Sequence, residues 1–106
     1  MGQFVIVAYG PKPGREEQLL ALVTRHHSVL RGENLVTDRP AYVMRASDGT
    51  IVEVFEWQSA EAIAKAHANE KVQALWLEFE GVCKYLPLNG LAECQHPFAG
   101  FEPIAI

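Results

Sequence analysis

Residues 3–9 constrain the fold most, because they form a short β-rich run in which both alternating sets of side chains are apolar. One predicted face carries Phe4, Ile6 and Ala8, and the other carries Val5, Val7 and Tyr9. A strand that is apolar on both faces is usually covered on both. The two prolines within residues 10–14 are expected to end the strand. The chain is therefore predicted to begin with a strand that needs protein on each side.

The rest of the chain alternates between helical and strand patterns. Residues 15–31 have the apolar spacing of an amphipathic helix, with His26 on the apolar stripe. Residues 35–46 and 51–57 predict two strands joined by an Asp-Gly turn. A second helical region begins after Ser59, with a break or kink near Asn69, and residues 91–96 predict a last strand. The order β-α-β-β-α-β is typical of the α+β, ferredoxin-like fold, in which two helices lie on one face of an antiparallel sheet.

Length and charge narrow the classes of function. A chain of 106 residues supports one domain, 1–106. Its formal net charge of −4, from 13 acidic and 9 basic residues, argues against nucleic acid as a partner. The sequence shows no signal peptide and no membrane span, and Cys83 and Cys94 have no zinc or redox spacing. These features predict a cytoplasmic protein with reduced thiols and no metal.

The predicted sheet has one more apolar face than its helices can cover. The first strand is apolar on both faces, and Phe55 and Trp57 make one side of the third strand aromatic. A large bare apolar patch is rare on a soluble monomer. Two sheets that pair face to face would hide it and close a barrel between subunits. A homodimer is therefore expected.

Several segments resemble the antibiotic-biosynthesis-monooxygenase family of the dimeric α/β-barrel superfamily. They are residues 13–17 (Pro-Gly-Arg-Glu-Glu), 55–62 (Phe-Glu-Trp-Gln-Ser-Ala-Glu-Ala), Ala66-His67, and 72–76 (Val-Gln-Ala-Leu-Trp). The resemblance covers roughly residues 4–79. It implies a ferredoxin-like fold, a dimeric barrel, and a relationship to cofactor-independent oxygenases of quinols and polyketides.

The haem-degrading branch of that family can be compared position by position. Matching its motifs places Val7, Ala66 and Trp76 where that branch has an Asn, a Trp and an iron-binding His. The indole nitrogen of a tryptophan is only a donor and cannot bind iron. His67 lies one residue from the Trp position and is a poor substitute. Haem degradation is therefore not expected.

Two histidines are the candidate bases. His67 is predicted on an apolar helical stripe with Ala60, Ile63 and Ala64, where it would face the sheet. Its neighbour in space would be His26 from the first helix, the two forming a polar pair in an apolar pocket. The alternative for each is an ordinary histidine at the edge of the core.

The remaining candidates lie on the strands and the last helix. Glu53 shares a predicted strand face with Phe55 and Trp57, so it needs a partner or a catalytic role as a general base. Arg45 on the neighbouring strand is its expected partner in the structural alternative. Trp76, Trp57 and Tyr42 are candidates to hold an aromatic ring, with core packing as the alternative.

Three functions remain open from the sequence. The first is a cofactor-independent monooxygenase that accepts a small phenol or quinol, with His67 or His26 as the base. The second is a non-catalytic protein that binds a small apolar molecule on the same scaffold. The third is an isomerase or lyase that uses the same base without oxygen.

Overall fold

Three helices pack on one face of a five-stranded antiparallel sheet, in a computed structural model that describes all residues, 1–106. The strands are β1 (Gln3–Pro11), β2 (Tyr42–Arg45), β3 (Ile51–Trp57), β4 (Cys83–Leu86) and β5 (Glu102–Ile104). The helices are α1 (Glu16–Gly32), α2 (Ala60–Ala68) and α3 (Glu70–Val82). Short 3-10 turns occupy Leu88–Gly90 and Ala92–Gln95. The chain is thus an α+β protein.

The sheet has the strand order β4-β1-β3-β2-β5, which places β1 and β3 near its centre. β1 pairs with β3 from Gln3 opposite Trp57 to Tyr9 opposite Ile51. On its other side, β1 pairs with β4 only from Ala8 to Pro11. The first half of β1 therefore has an open edge, and this edge lies beside the pocket described below.

The second helical region consists of two helices, α2 and α3, and each begins at a residue whose side chain caps it. Ser59 accepts a hydrogen bond from the backbone N–H of Ala62 and caps α2. Asn69 accepts one from the backbone N–H of Val72 and caps α3. The predicted break near Asn69 is confirmed. The apolar stripe predicted for α2, with His67 facing the sheet, is wrong. The buried residues of α2 are Ala62 and Ala66, and His67 is exposed.

The C-terminal strand prediction is also wrong. Residues 91–96 contain 3-10 structure, and the strand beside β1 is the earlier β4. Leu91 is fully buried because it packs against Ala8 and Val52 on the sheet, so its apolar character serves packing and not strand pairing. The strand predicted over residues 35–46 is reduced to β2, with an isolated bridge from Val36 to Trp57.

The helix-covered face of the sheet carries most of the core. The core residues of β1 and β3 occupy every second position, because successive side chains of a strand point to opposite faces of the sheet. Phe55 and Trp57 point into this face and not toward the opposite one, which corrects the basis of the dimer argument. The largest fully buried side chains here are Tyr9, Phe55, Phe79, Leu19, Leu30 and Ile51.

The opposite face of the sheet is half covered by the chain itself. Leu88, Leu91, Cys94 and Phe101 from the C-terminal segment pack over one half, so the expectation of a wholly bare face is wrong. The other half is open. Its exposed apolar side chains are Phe4 (58% exposed), Ile6 (49%) and Tyr42 (63%). No helix combines the length and the apolar character that a bilayer span requires.

Candidate functional site

A pocket of about 690 Å³ opens between the helix-covered face of the sheet and α3. Ten of its fourteen lining residues are hydrophobic, which favours an apolar ligand with few polar groups. The pocket lies where β1 has its open edge. It is lined by Val5, Val7, Tyr9, His26, Phe55, Trp57, His67, Gln73, Ala74, Trp76, Leu77, Phe79, Glu80 and Tyr85.

Behind the pocket wall lies a fully buried carboxylate, Glu53. The alternation of β3 points it into the helix-covered face between Ile51 and Phe55, as the sequence predicts. Its Oε1 accepts the hydroxyl of Tyr9 at 2.6 Å and lies 2.8 Å from Nδ1 of His26. Its Oε2 has no hydrogen-bond partner. A buried acceptor without a partner is uncommon and costs about 1–3 kcal/mol.

Trp76 fixes the proton position on His26. The indole N–H of Trp76 lies 2.9 Å from Nε2 of His26, and an indole nitrogen can only donate. Nε2 must therefore accept and carry no proton. The ring proton then resides on Nδ1, which donates to Glu53. Each link of the chain Tyr9–Glu53–His26–Trp76 thus has a defined donor and acceptor.

Four elements bring this network together by ordinary packing: β1 carries Tyr9, β3 carries Glu53, α1 carries His26 and α3 carries Trp76. The apolar stripe of α1 faces the sheet and carries the buried His26 with it. The register of β1 and β3 places Val7 opposite Glu53, with Tyr9 two residues further along the same face. Burial and the nearby Glu53 carboxylate raise the pKa of Tyr9 well above its usual range. Tyr9 therefore remains a neutral donor throughout the physiological range of pH.

His67 has a different environment. Its side chain is exposed at the pocket rim and makes no side-chain hydrogen bond. Its ring contacts the ring of Trp76 edge to face, with centroids 5.1 Å apart. His26 also contacts this indole, at a centroid distance of 6.4 Å, and accepts its N–H at Nε2. Both histidines therefore contact Trp76, and no ring contact or hydrogen bond joins them as the direct pair that the sequence suggested.

The other predicted site residues separate into two groups. Trp76 and Trp57 line the pocket, whereas Tyr42 is exposed on the opposite face of the sheet and cannot reach it. Arg45 is not the partner of Glu53. Val43 lies opposite Glu53, and Arg45 lies two residues further along β2, opposite Ile51, where it makes ion pairs with Glu16 and Glu102.

Sequence reasoning missed two tyrosines of the site. Tyr9 was assigned to the apolar face of β1, and only its position beside Glu53 on the same face could have indicated a polar role. Tyr85 lies on β4, a strand that was not predicted. Partial burial raises the pKa of Tyr85 to about 12. Both hydroxyls are therefore donors and not bases near neutral pH.

The arrangement suits a planar ring with a single polar group. Apolar and aromatic walls can hold the ring, and the imidazoles of His26 and His67 supply proton acceptors at two depths. No group of three or more His, Cys, Asp or Glu side chains is placed to share a metal ion. No protein-family model, curated protein or solved structure matches the chain significantly.

Proposed function

We propose that this chain binds a small phenol or quinol in the pocket and oxygenates it without a cofactor. The observation that carries the proposal is the apolar, aromatic-walled pocket with two histidines in contact with one indole. A hydrophobic pocket with one or two placed polar groups is the usual form of a small-molecule site. The resemblance of residues 55–62 and 72–76 to the antibiotic-biosynthesis-monooxygenase family supports the same function.

The proposed reaction uses O₂ as the only co-substrate. A histidine, His67 or His26, removes the hydroxyl proton, and the resulting phenolate transfers one electron to O₂. The two radicals combine at a ring carbon to form a C–O bond and a peroxide anion. Cleavage of the O–O bond with loss of the hydrogen on that carbon gives a carbonyl and hydroxide. The hydroxide takes the proton from the histidine, so that a phenol and O₂ become a quinone and water.

Oxygen uptake tests this reaction directly. We expect the wild type to consume O₂ with at least one of a panel of naphthols and naphthohydroquinones, above the uncatalysed rate. His67→Gln and His26→Gln are the test variants. His96→Gln is the matched control, because His96 is exposed and does not line the pocket. A rate that neither test variant lowers, or no rate above background with any compound, would refute the oxygenase proposal.

Ligand binding without turnover is the second candidate function. It is favoured by the hydrogen bonds of His26, because both ring nitrogens are occupied in the structure. A histidine with no free nitrogen cannot act as a base until a partner moves. Thermal stabilisation by an aromatic compound that is recovered unchanged would support binding alone. Turnover under anaerobic conditions would instead support an isomerase or lyase.

The proposal also includes the ferredoxin-like fold name, a homodimer and a cytoplasmic location. Three exposed apolar side chains on the uncovered half of the sheet, Phe4, Ile6 and Tyr42, support association with a second copy. The order of the first four strands in the sheet, β4-β1-β3-β2, supports the ferredoxin-like assignment. The free thiols of Cys83 and Cys94 are in keeping with a reducing compartment.

A further inference from the structure

We propose that the ligand's hydroxyl group binds Nε2 of His26 by displacing the indole N–H of Trp76. The inference rests on the proposed function, since it names the residue that meets the aromatic hydroxyl. The indole N–H of Trp76 occupies the position that the ligand's hydroxyl takes. His26 is then the base, Glu53 is a positioning residue, and His67 lies at the entrance.

The hydrogen-bond chain carries the first step of the argument. Glu53 holds the Nδ1 proton of His26, so that Nε2 presents a lone pair. That lone pair can accept from any donor that reaches it, and His26 lines the pocket. Its present partner is the indole of Trp76, which also lines the pocket. A ligand hydroxyl offers the same kind of donor as the indole and can take its place.

The packing of α3 carries the second step. Leu75 and Phe79 are buried and fix the helix to the sheet, whereas the side chain of Trp76 is only partly buried. Apart from its bond to His26, its aromatic contacts are the edge-to-face ring of His67 and the tilted ring of His26. Trp76 also packs against both core clusters of the helix-covered face. Its rotation therefore breaks one hydrogen bond and these contacts, while Leu75 and Phe79 keep α3 on the sheet.

The environment of the two histidines carries the third step. When His26 accepts a proton at Nε2, the positive ring lies against the Glu53 carboxylate at 2.8 Å. A buried carboxylate stabilises an imidazolium that forms beside it. His67 has no carboxylate partner within salt-bridge distance. Nε2 of His26 is thus the better site for a hydroxyl, while an ether or a ring without a donor gains nothing there.

Binding measurements in anaerobic buffer test the inference separately from any oxygenation. The probes are 2-naphthol and its methyl ether, 2-methoxynaphthalene, which lacks the hydroxyl donor. In the wild type the hydroxyl replaces the indole N–H, so that one hydrogen bond is exchanged for another, and we expect 2-naphthol to bind less than about 3-fold more tightly than the ether. Trp76→Phe removes the competing donor and keeps an aromatic ring. It should raise the preference for 2-naphthol over the ether to about 3- to 10-fold, the usual value of one hydrogen bond.

Two further measurements distinguish this role from simple stacking. The indole N–H resonance of Trp76 should shift on addition of 2-naphthol more than on addition of the ether. In the Trp76→Phe background, His67→Gln should preserve the preference for the hydroxyl, whereas His26→Gln should reduce it. No increase of the preference in Trp76→Phe, loss of the preference when His67→Gln is added, or no saturable binding of 2-naphthol would overturn the inference. Oxygen uptake without that increase would overturn the inference and retain the oxygenase.

Discussion

The two faces of the sheet are covered in different ways. The helix-covered face carries a large core cluster that includes Leu19 and Phe79, and it contains the buried network around Glu53. The opposite face has a small cluster around Leu91 on one half and exposed Phe4 and Ile6 on the other. The difference shows that one face holds most of the core and the pocket, while the other leaves apolar side chains exposed.

The largest expected loss of stability comes from the helix-covered face. Phe79 is fully buried and stacks on Tyr9, with ring centroids 5.1 Å apart. Phe79→Ala should lower the free energy of unfolding by about 3–5 kcal/mol, measured by urea denaturation. Phe98→Ala is the control, because Phe98 is 95% exposed, and it should change stability by less than about 0.5 kcal/mol. Similar losses in both variants would contradict the assignment of the core.

The polar network gives the next effect. Glu53→Ala leaves the Tyr9 hydroxyl and the His26 Nδ1–H without their common acceptor in a buried site. Two such groups should cost about 3 kcal/mol together. Glu53→Gln keeps one carbonyl oxygen as the acceptor and should cost clearly less in the same denaturation experiment. Equal losses would mean that packing, and not hydrogen bonding, accounts for the role of Glu53.

Truncation of Leu91, in the C-terminal segment that covers the opposite face, should lower the free energy of unfolding less than truncation of Phe79. Leu91 is buried against Ala8 and Val52, but its cluster has four buried residues, whereas the two clusters of the helix-covered face have nine and eight. Leu91→Ala should lower the free energy of unfolding by about 2 kcal/mol. Leu77→Ala makes the same change at a residue that is 68% exposed and should be nearly neutral. Proteolysis of the C-terminal segment should also be faster in Leu91→Ala alone.

The uncovered half-face is tested by the state of association. The proposed homodimer predicts a dimer mass by light scattering at micromolar concentration. Ile6→Lys places a charge in the apolar patch and should raise the dimer dissociation constant at least about 10-fold, which corresponds to 1.4 kcal/mol. Leu77→Lys makes the same kind of change on the helix side and should leave the mass unchanged. A monomer mass for the wild type would refute the homodimer.

The smallest expected effect is a pH dependence at His27 on α1. Burial, opposed by Glu53 and assisted by Arg31 and His26, lowers the pKa of His27 below its usual value. The unfolded chain then binds a proton more readily than the native chain, so stability falls as the pH drops below about 6.5. His27→Gln should reduce the loss of stability between pH 7.5 and pH 5. His96→Gln should not reduce it.

Much of the architecture was predictable because short-range pattern determines it. The alternation of residues 3–9 and 51–57 predicted β1 and β3, and the spacing through residues 15–31 predicted α1 with His26 inside. The caps at Ser59 and Asn69 are local hydrogen bonds, so their helix starts could be read directly. The C-terminal segment was misread, because apolar residues in a short irregular stretch have no period that distinguishes pairing from packing.

The sequence alone determined that Glu53 and His26 would both be drawn into the interior, since each lies on an apolar face. Only the tertiary structure decided that they meet, that Tyr9 joins them and Arg45 does not, and that His26 and His67 both contact Trp76. The physical reason is that burial follows from local periodicity. A hydrogen-bond partner depends on strand register and helix packing, where a shift of one residue exchanges one neighbour for another.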